Sequence, residues 1–268
     1  MMLFLLACSA DPAVPVPQEA ALGVTEDLPA PPAPPEFNYR GVDVPLVPDL
    51  SDFHDTMHQH GLGPSAARHA AEVEYKPDVM VAKIAAARTG AELGALFVEA
   101  RDQDLPILVA RGERIRAGLA SINDQGPALQ KTDELLTLLK SDPPRTELLE
   151  QLDEKAPVAI DVLAEHVGEE HVPLVLAGAW LQAYDLVALA MEETGQRDAG
   201  PLLLRQPEVG AWFTSYTDTV GGDFIPSGML GPLKNSLQRL ESATDHTPMT
   251  ELDVSEIRDA TESLLGMM

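Results

Sequence analysis

Proline recurs along this chain at the start of segments whose apolar residues follow a helical period, and this feature limits the possible folds most strongly. Proline lacks a backbone N–H, and the first turn of a helix does not need that donor. The prolines at predicted helix starts are Pro77, Pro106, Pro127, Pro144, Pro173, Pro201 and Pro226. No long stretch alternates apolar and polar residues as a half-buried strand would. We predict an all-α fold, a bundle of about eight or nine proline-started helices.

The predicted helix bounds follow from these prolines and from the residues that end each apolar pattern. Helices are expected over residues 77–101, 106–122 and 127–140. The helix that starts at Pro144 is expected to kink or break at Pro157. A last helix, capped by Asp253, is expected to end near Leu265. Stacked helical hairpins remain an alternative architecture, although no fixed-period self-similarity supports a repeat array.

The charge and the cysteine content exclude several classes of function. Lysine and arginine total 18 against 43 aspartate and glutamate residues, a formal net charge of −25, so the chain repels phosphate backbones and no nucleic-acid partner is expected. A single cysteine excludes an internal disulfide and a four-cysteine zinc site. The sequence has no Walker A loop, no G-x-S-x-G elbow and no H-E-x-x-H motif. We therefore expect a non-enzymatic protein without a cofactor.

The segment Val172–Met191 is apolar except at Gln182, Tyr184 and Asp185. Its length suits a transmembrane span, but a central Asp costs about 2.5–3.5 kcal/mol in a bilayer, and a core helix is equally apolar on all sides. We interpret this segment as the central buried helix, with Trp180, Tyr184 and Asp185 in the structural core. A buried carboxylate needs a partner. The candidate partners are Arg101, Arg111 and Arg114.

The helix predicted to start at Pro77 is rich in alanine and glycine, with Gly90 and Gly94 one turn apart. Small residues allow the backbones of neighbouring helices to approach closely. The sequence therefore predicts tight antiparallel packing around this helix.

Residues 1–7, MMLFLLA, are uniformly apolar and lead directly to Cys8. The sequence Leu5-Leu6-Ala7-Cys8 resembles the lipobox of bacterial lipoproteins, in which the cysteine thiol is lipidated and the preceding peptide is removed. The resemblance implies that Cys8 carries a lipid and that residues 1–7 are the remnant of a signal peptide. The positively charged start of such signals is missing, so we expect the natural start to lie upstream. The implied location is the cell envelope, anchored in the outer membrane on its periplasmic or surface face.

Residues 8–39 are predicted to form a disordered, proline-rich linker between the lipid and an α-helical domain at residues 40–268. Between Ser9 and Tyr39 the sequence contains eight prolines, five acidic residues and no basic residue. Such a segment has little apolar surface to bury and favours extended, solvated conformations.

The helical body also carries a resemblance to a known group. The sequence of residues 177–184, AGAWLQAY, is similar to a helix of uncharacterised α-helical envelope lipoproteins of Bacteroidetes-like bacteria. Residues 94–102 and the pair Gly118-Leu119 are similar to paired helices of the same group, so the resemblance spans most of residues 75–245. It implies a helical bundle displayed from a lipid anchor and carries no established activity.

Three histidines close together, His54, His58 and His60, form the only metal-like cluster in the sequence. On a helix, His54 and His58 lie one turn apart, and imidazole ligands suit zinc or copper. The alternative is a short amphipathic helix, docked on the bundle through Leu50, Phe53 and Met57. Its histidines would then be exposed, and Gly61 would provide its C-cap.

These observations predict an exported, lipid-anchored helical protein that acts as a binding or scaffolding module of the cell envelope. A periplasmic zinc- or copper-binding protein that uses the histidine cluster is the alternative function, and a hydrolase in a helical fold is a third. The expected partners are the membrane, through the N-terminal lipid, and an envelope protein. The chain itself is expected to be a monomer.

Overall fold

The computed structural model describes residues 49–75, 81–123, 126–168, 170–219, 221, 225 and 227–268. These residues form twelve helical segments and no strand. The segments are α1 (Leu50–Gln59), α2 (Gly63–Glu72), α3 (Ala82–Glu99), α4 (Leu105–Ile122), α5 (Pro127–Lys140), α6 (Arg145–Val167), α7 (Val172–Thr194), a 3₁₀ turn (Arg197–Ala199), α8 (Gly200–Leu203), α9 (Pro207–Thr219), α10 (Ser227–Thr244) and α11 (Glu251–Leu265). The predicted all-α class is confirmed. The number of helices is larger than predicted, because segments as short as α8 are too brief for an apolar period to reveal.

Prolines occupy the first turn of several helices, as the sequence predicts. A predicted proline lies at one of the first two positions of α4, α5, α7 and α8. The prolines in the first turns of α2 and α9 were not predicted. The last helix ends at Leu265 as predicted, but its N-cap is Thr250. Asp253 is the third residue of the helix and completes a capping box with Thr250.

Two predicted bounds are wrong. Helix α3 begins at Ala82 after the extended Val81, and Pro77, its predicted start, lies outside the described residues. Helix α6 continues through position 157, where a kink or a break was expected, so the predicted break is absent. A proline inside a helix removes one backbone hydrogen bond. Helix α6 packs on α5 and α1. Pro226 also lies outside the described residues, next to the start of α10.

Helix α7 lies in the core of the bundle and packs mainly on α3, α11 and α2. Among the described residues it is the one helix long and apolar enough to cross a membrane, and 67% of its most apolar stretch is buried inside the protein. Neighbouring helices therefore cover most of its apolar surface. This is the position that we predicted for the segment Val172–Met191.

Helices α3 and α7 approach each other at backbone distance. A Cβ atom on Gly90 would overlap the carbonyl oxygen of Val175, and one on Gly94 would overlap that of Ala179. The close packing predicted from small residues is therefore confirmed. The predicted direction is wrong for this pair, because successive turns of α3 meet successive turns of α7 in the same order, so the two helices run parallel.

Contacts near the C-terminal ends of α3 and α7 also show that the two helices run parallel, because both ends contact α2. Gln103, just after α3, donates a hydrogen bond to the carbonyl oxygen of Ala67 in α2 at 2.9 Å. Glu193, near the end of α7, accepts a hydrogen bond from Ser65, which also belongs to α2. Three intervening helices, α4 to α6, connect α3 to α7. They return the chain to the end of the bundle where α3 begins, which makes a parallel pair possible.

Candidate functional site

The predicted histidine cluster lies on and just after α1, where its members have different surroundings. His54 is fully buried, and its Nε2 lies 2.7 Å from the carbonyl oxygen of Phe97. Nε2 of His58 lies 2.9 Å from a carboxylate oxygen of Asp102, and His60 is partly exposed beyond the end of α1. Across the described ranges, no three His, Cys, Asp or Glu side chains are grouped so that they could hold a metal ion. The structure therefore does not assemble the three histidines into a ligand set.

Helix α1 is instead a docked amphipathic helix, with Leu50 and Met57 fully buried and Gly61 at φ +68° after its end. The expected exposure of its histidines is wrong for His54, because the side chain of His54 faces the core. Burial lowers the pKa of His54 to about 4, since the charged imidazolium loses its hydration. The neutral ring donates its Nε2 proton to the carbonyl oxygen of Phe97, and its buried Nδ1 has no hydrogen-bond partner among the described residues.

The three residues predicted for the structural core lie on α7. Tyr184 and Asp185 are buried as predicted, whereas Trp180 is only partly buried. The hydroxyl of Tyr184 donates to the carbonyl oxygen of Leu204. Asp185 accepts a hydrogen bond from the hydroxyl of Thr261 at 2.9 Å, and burial raises its pKa to about 6. The prediction that an arginine pairs with Asp185 is wrong, because the three candidate arginines bind other acids.

Arg111 is the centre of a buried ionic network that the sequence reading missed. Its guanidinium is fully buried and lies 2.5 Å from a carboxylate oxygen of Glu92 and 2.5 Å from one of Glu99. It also donates hydrogen bonds to the carbonyl oxygens of Ala70 and Val73 at the end of α2. The two glutamates are the only acids of α3, placed seven residues apart on one face. That spacing was a signal for this network, which joins α2, α3 and α4.

A cavity in the described part of the protein has a volume of 320 Å³ and lies beside α6. We call it the α6 cavity. Residues of α3, α4, α5, α6 and α7 line it, and Leu50 and Phe53 of α1 also contribute to its wall. Its lining on α6 extends from Leu152 to Leu163. Eleven steps along a helix correspond to about 16 Å, so the cavity is elongated along α6.

Most of the side chains that line the α6 cavity are apolar. These include Leu93, Phe97, Ile115, Leu119, Val175 and Leu176 of α3, α4 and α7. Two threonines also line it, but Thr89 donates its hydroxyl proton to the carbonyl oxygen of Ala85 and Thr132 donates to that of Leu129. Their donors are thus used within their own helices, so the interior of the cavity favours an apolar occupant.

An aromatic pair forms part of the same wall. The rings of Trp180 and Tyr184 lie 4.3 Å apart between centroids. The indole N–H of Trp180 donates to the side-chain oxygen of Gln206 at 3.3 Å, which holds the ring against the cavity. An indole in this position makes the fluorescence of Trp180 sensitive to whatever the cavity contains.

Small side chains explain why space remains under α6. Ala156 and Ala159 of α6 and Ala179 and Ala183 of α7 all line the cavity. Direct contact between α6 and α7 is sparse, because α6 rests mainly on α5 and α1. No local sequence pattern reveals this gap, since alanine is equally common where helices pack tightly.

The charged residues of the lining belong to α5 and α6. Lys131 and Glu134 of α5 form an ion pair at 2.8 Å. Glu154, Lys155 and Val158 of α6 are exposed to solvent while they also line the cavity. These residues place the mouth of the α6 cavity between α5 and α6.

Cys8, the predicted lipidation site, and the linker at residues 8–39 lie outside the described residues. Comparison with protein-family models, with curated proteins and with solved structures finds no match for this chain.

Proposed function

We propose that this chain is an exported, lipid-anchored, non-enzymatic module of the cell envelope that binds an apolar small molecule in the α6 cavity. The cavity carries this proposal. Its volume of 320 Å³ lies at the lower end of the range of small-molecule sites, about 300–1,000 Å³. A protein interior is normally packed without voids of this size, so a large apolar cavity with an open mouth is typical of a binding site.

The chemistry of the lining supports binding over catalysis. The threonine hydroxyls in the lining are bonded to backbone, and its charged side chains lie at the solvent-exposed mouth. A catalytic site needs titratable groups that converge on one reacting atom. The α6 cavity offers a long apolar surface with charges at its edge, which suits the retention of an apolar chain.

The sequence supports the location. Leu5-Leu6-Ala7-Cys8 has the form of a lipobox, and the proline-rich, acidic residues after it suit a spacer between a membrane and a folded domain. A soluble bundle held near a membrane by a lipid would meet apolar molecules that leave that membrane. The proposed ligand is therefore a lipid or a similarly apolar compound of the envelope.

The test fills the cavity with a side chain. The neutral fluorescent probe phenylnaphthylamine should bind the purified protein saturably, with a dissociation constant in the low micromolar range, and should change the emission of Trp180. Ala159→Phe places a ring in the α6 cavity and should weaken probe binding about tenfold or more. The measurement is a fluorescence titration, with circular dichroism to verify that the helices persist.

Ala110→Phe is the matched control, because Ala110 is an exposed residue of α4 that does not line the cavity. It should leave probe binding unchanged. The proposal fails if the unmodified protein shows no saturable binding, or if both alanine variants weaken binding equally.

A further inference from the structure

We infer that the ligand of the α6 cavity is a single-chain amphiphile with an anionic head group, which binds Lys155 at the mouth while its apolar chain occupies the cavity. This inference rests on the proposed function and names the class of its ligand. Two observations support it. One is the shape and apolar lining of the cavity, and the other is that Lys155 has no ion-pair or hydrogen-bond partner among the described residues.

The cavity is long and lined by apolar side chains, as a single acyl chain requires. Its lining on α6 runs from Leu152 to Leu163, and Leu119 of α4 with Val175 and Leu176 of α7 also line it. An enclosed aliphatic chain gains free energy in proportion to the apolar surface that it removes from water. A volume of 320 Å³ spread over a length of about 16 Å suits a single chain.

Lys155 differs from the other basic residues of this acidic protein. Acidic residues outnumber basic ones by 43 to 18, and the other lysines and arginines that the structure describes form ion pairs, hydrogen bonds or other polar contacts. Within the described residues, Lys155 has neither an ion-pair partner nor a hydrogen-bond partner. Its side chain is exposed at the cavity mouth beside Val158.

The position of this ammonium group suits an anion at the end of a bound chain. The aliphatic stem of a lysine covers apolar surface while its ammonium group stays in water, so Lys155 can extend the apolar wall and still meet a charged head group. Its α5 neighbour at the mouth, Lys131, already pairs with Glu134. The net charge of the protein repels anions at long range, so a local unpaired cation is needed to retain one.

The experiment compares two ligands that differ only in the head group. Dodecanoate and dodecanol displace phenylnaphthylamine from the intact protein and from Lys155→Met, which keeps the length of the side chain without its charge. Lys155→Met should weaken dodecanoate binding about fivefold and leave dodecanol binding unchanged. Added salt should weaken dodecanoate binding in the intact protein and have much less effect in the variant.

Lys140→Met is the matched control, because Lys140 is an exposed lysine of α5 that pairs with Glu113 and lies outside the cavity lining. It should not change the binding of either ligand. If dodecanol binds but Lys155→Met does not alter dodecanoate binding, the head-group assignment is overturned and the cavity function stands. If neither ligand nor the probe binds, both the proposed function and this inference fall.

Discussion

At the scale of single residues, two buried titratable side chains make stability respond to pH in opposite directions. The pKa of His54 falls from 6.5 to about 4 in the folded protein, so its stabilising contribution is complete above 6.5 and is lost as pH falls towards 4. The pKa of Asp185 rises from 3.8 to about 6, so its contribution is complete below 3.8 and is lost as pH rises through 6. Each shift corresponds to about 3 kcal/mol, and the two effects offset each other between these values.

Asp185→Asn should therefore stabilise the protein at pH 7.5. The substitution removes the cost of burying a charge, while the Asn side-chain oxygen still accepts the hydrogen bond from Thr261. We expect the free energy of unfolding to rise by about 2–3 kcal/mol at pH 7.5 and to change little at pH 4, where the native carboxyl is already protonated. Urea unfolding at both pH values measures this difference.

The control is Asp161→Asn, at an exposed position of α6, which should change stability by less than about 0.5 kcal/mol at either pH. A gain for Asp185→Asn that is equal at pH 4 and pH 7.5 would show that the carboxyl is not the source of the effect.

At the scale of helices, the contact between α3 and α7 depends on the absence of side chains. Gly90 and Gly94 of α3, with Gly178 of α7, sit where a Cβ atom would overlap the backbone of the other helix. A side-chain clash can be relieved by a change of rotamer, but a clash with backbone requires the whole helix to move. These glycines fix the distance between the two helices, and thereby the position of the α7 wall of the α6 cavity.

Gly90→Ala should destabilise the protein by about 2–3 kcal/mol, because the strain of separating two packed helices exceeds the gain in helix propensity. Gly210→Ala in α9 is the matched variant, since nothing lies within 4 Å of its added Cβ. It should stabilise the protein by about 0.5–1 kcal/mol through helix propensity alone. Thermal unfolding followed by circular dichroism compares the two, and the same sign for both would contradict the backbone contact.

At the scale of the whole molecule, the proposed lipid anchor and the α6 cavity would belong to one chain joined by an acidic, proline-rich segment. The first described helix, α1, contributes Leu50 and Phe53 to the cavity wall. The backbone N–H of Leu50 donates to Asp153 of α6 at 2.7 Å, which ties the start of α1 to the helix above the cavity. The start of α1 therefore lies beside the proposed binding site.

The anchor is tested by substitution of its cysteine. Expressed in a bacterial host behind a functional signal sequence, the protein should partition into the detergent phase, because the lipid on Cys8 would supply most of its membrane affinity. Cys8→Ala should shift it to the aqueous phase, whereas Ser9→Ala should not. The lipidation assignment is wrong if Cys8→Ala and the unmodified protein partition alike or if a fatty-acid analogue does not label the protein.

The helical class, several helix starts and the buried character of α7 could be predicted from the amino-acid sequence. These features are local, because a proline in the first turn and an apolar period act within one helix. The bounds of α5 and the end of α11 at Leu265 were therefore predictable. The two acids of α3, Glu92 and Glu99, were also visible in the sequence, although their shared partner was not.

Which side chains contact one another could not be predicted in the same way, because these contacts form between helices. The parallel direction of α3 and α7, the choice of Thr261 as the partner of Asp185 and the burial of His54 all depend on residues far apart in the chain. The α6 cavity depends on them most, because a cavity is a gap between helices that no single helix encodes. An alanine such as Ala159 permits either tight packing or open space, and the position of the neighbouring backbone determines which one forms.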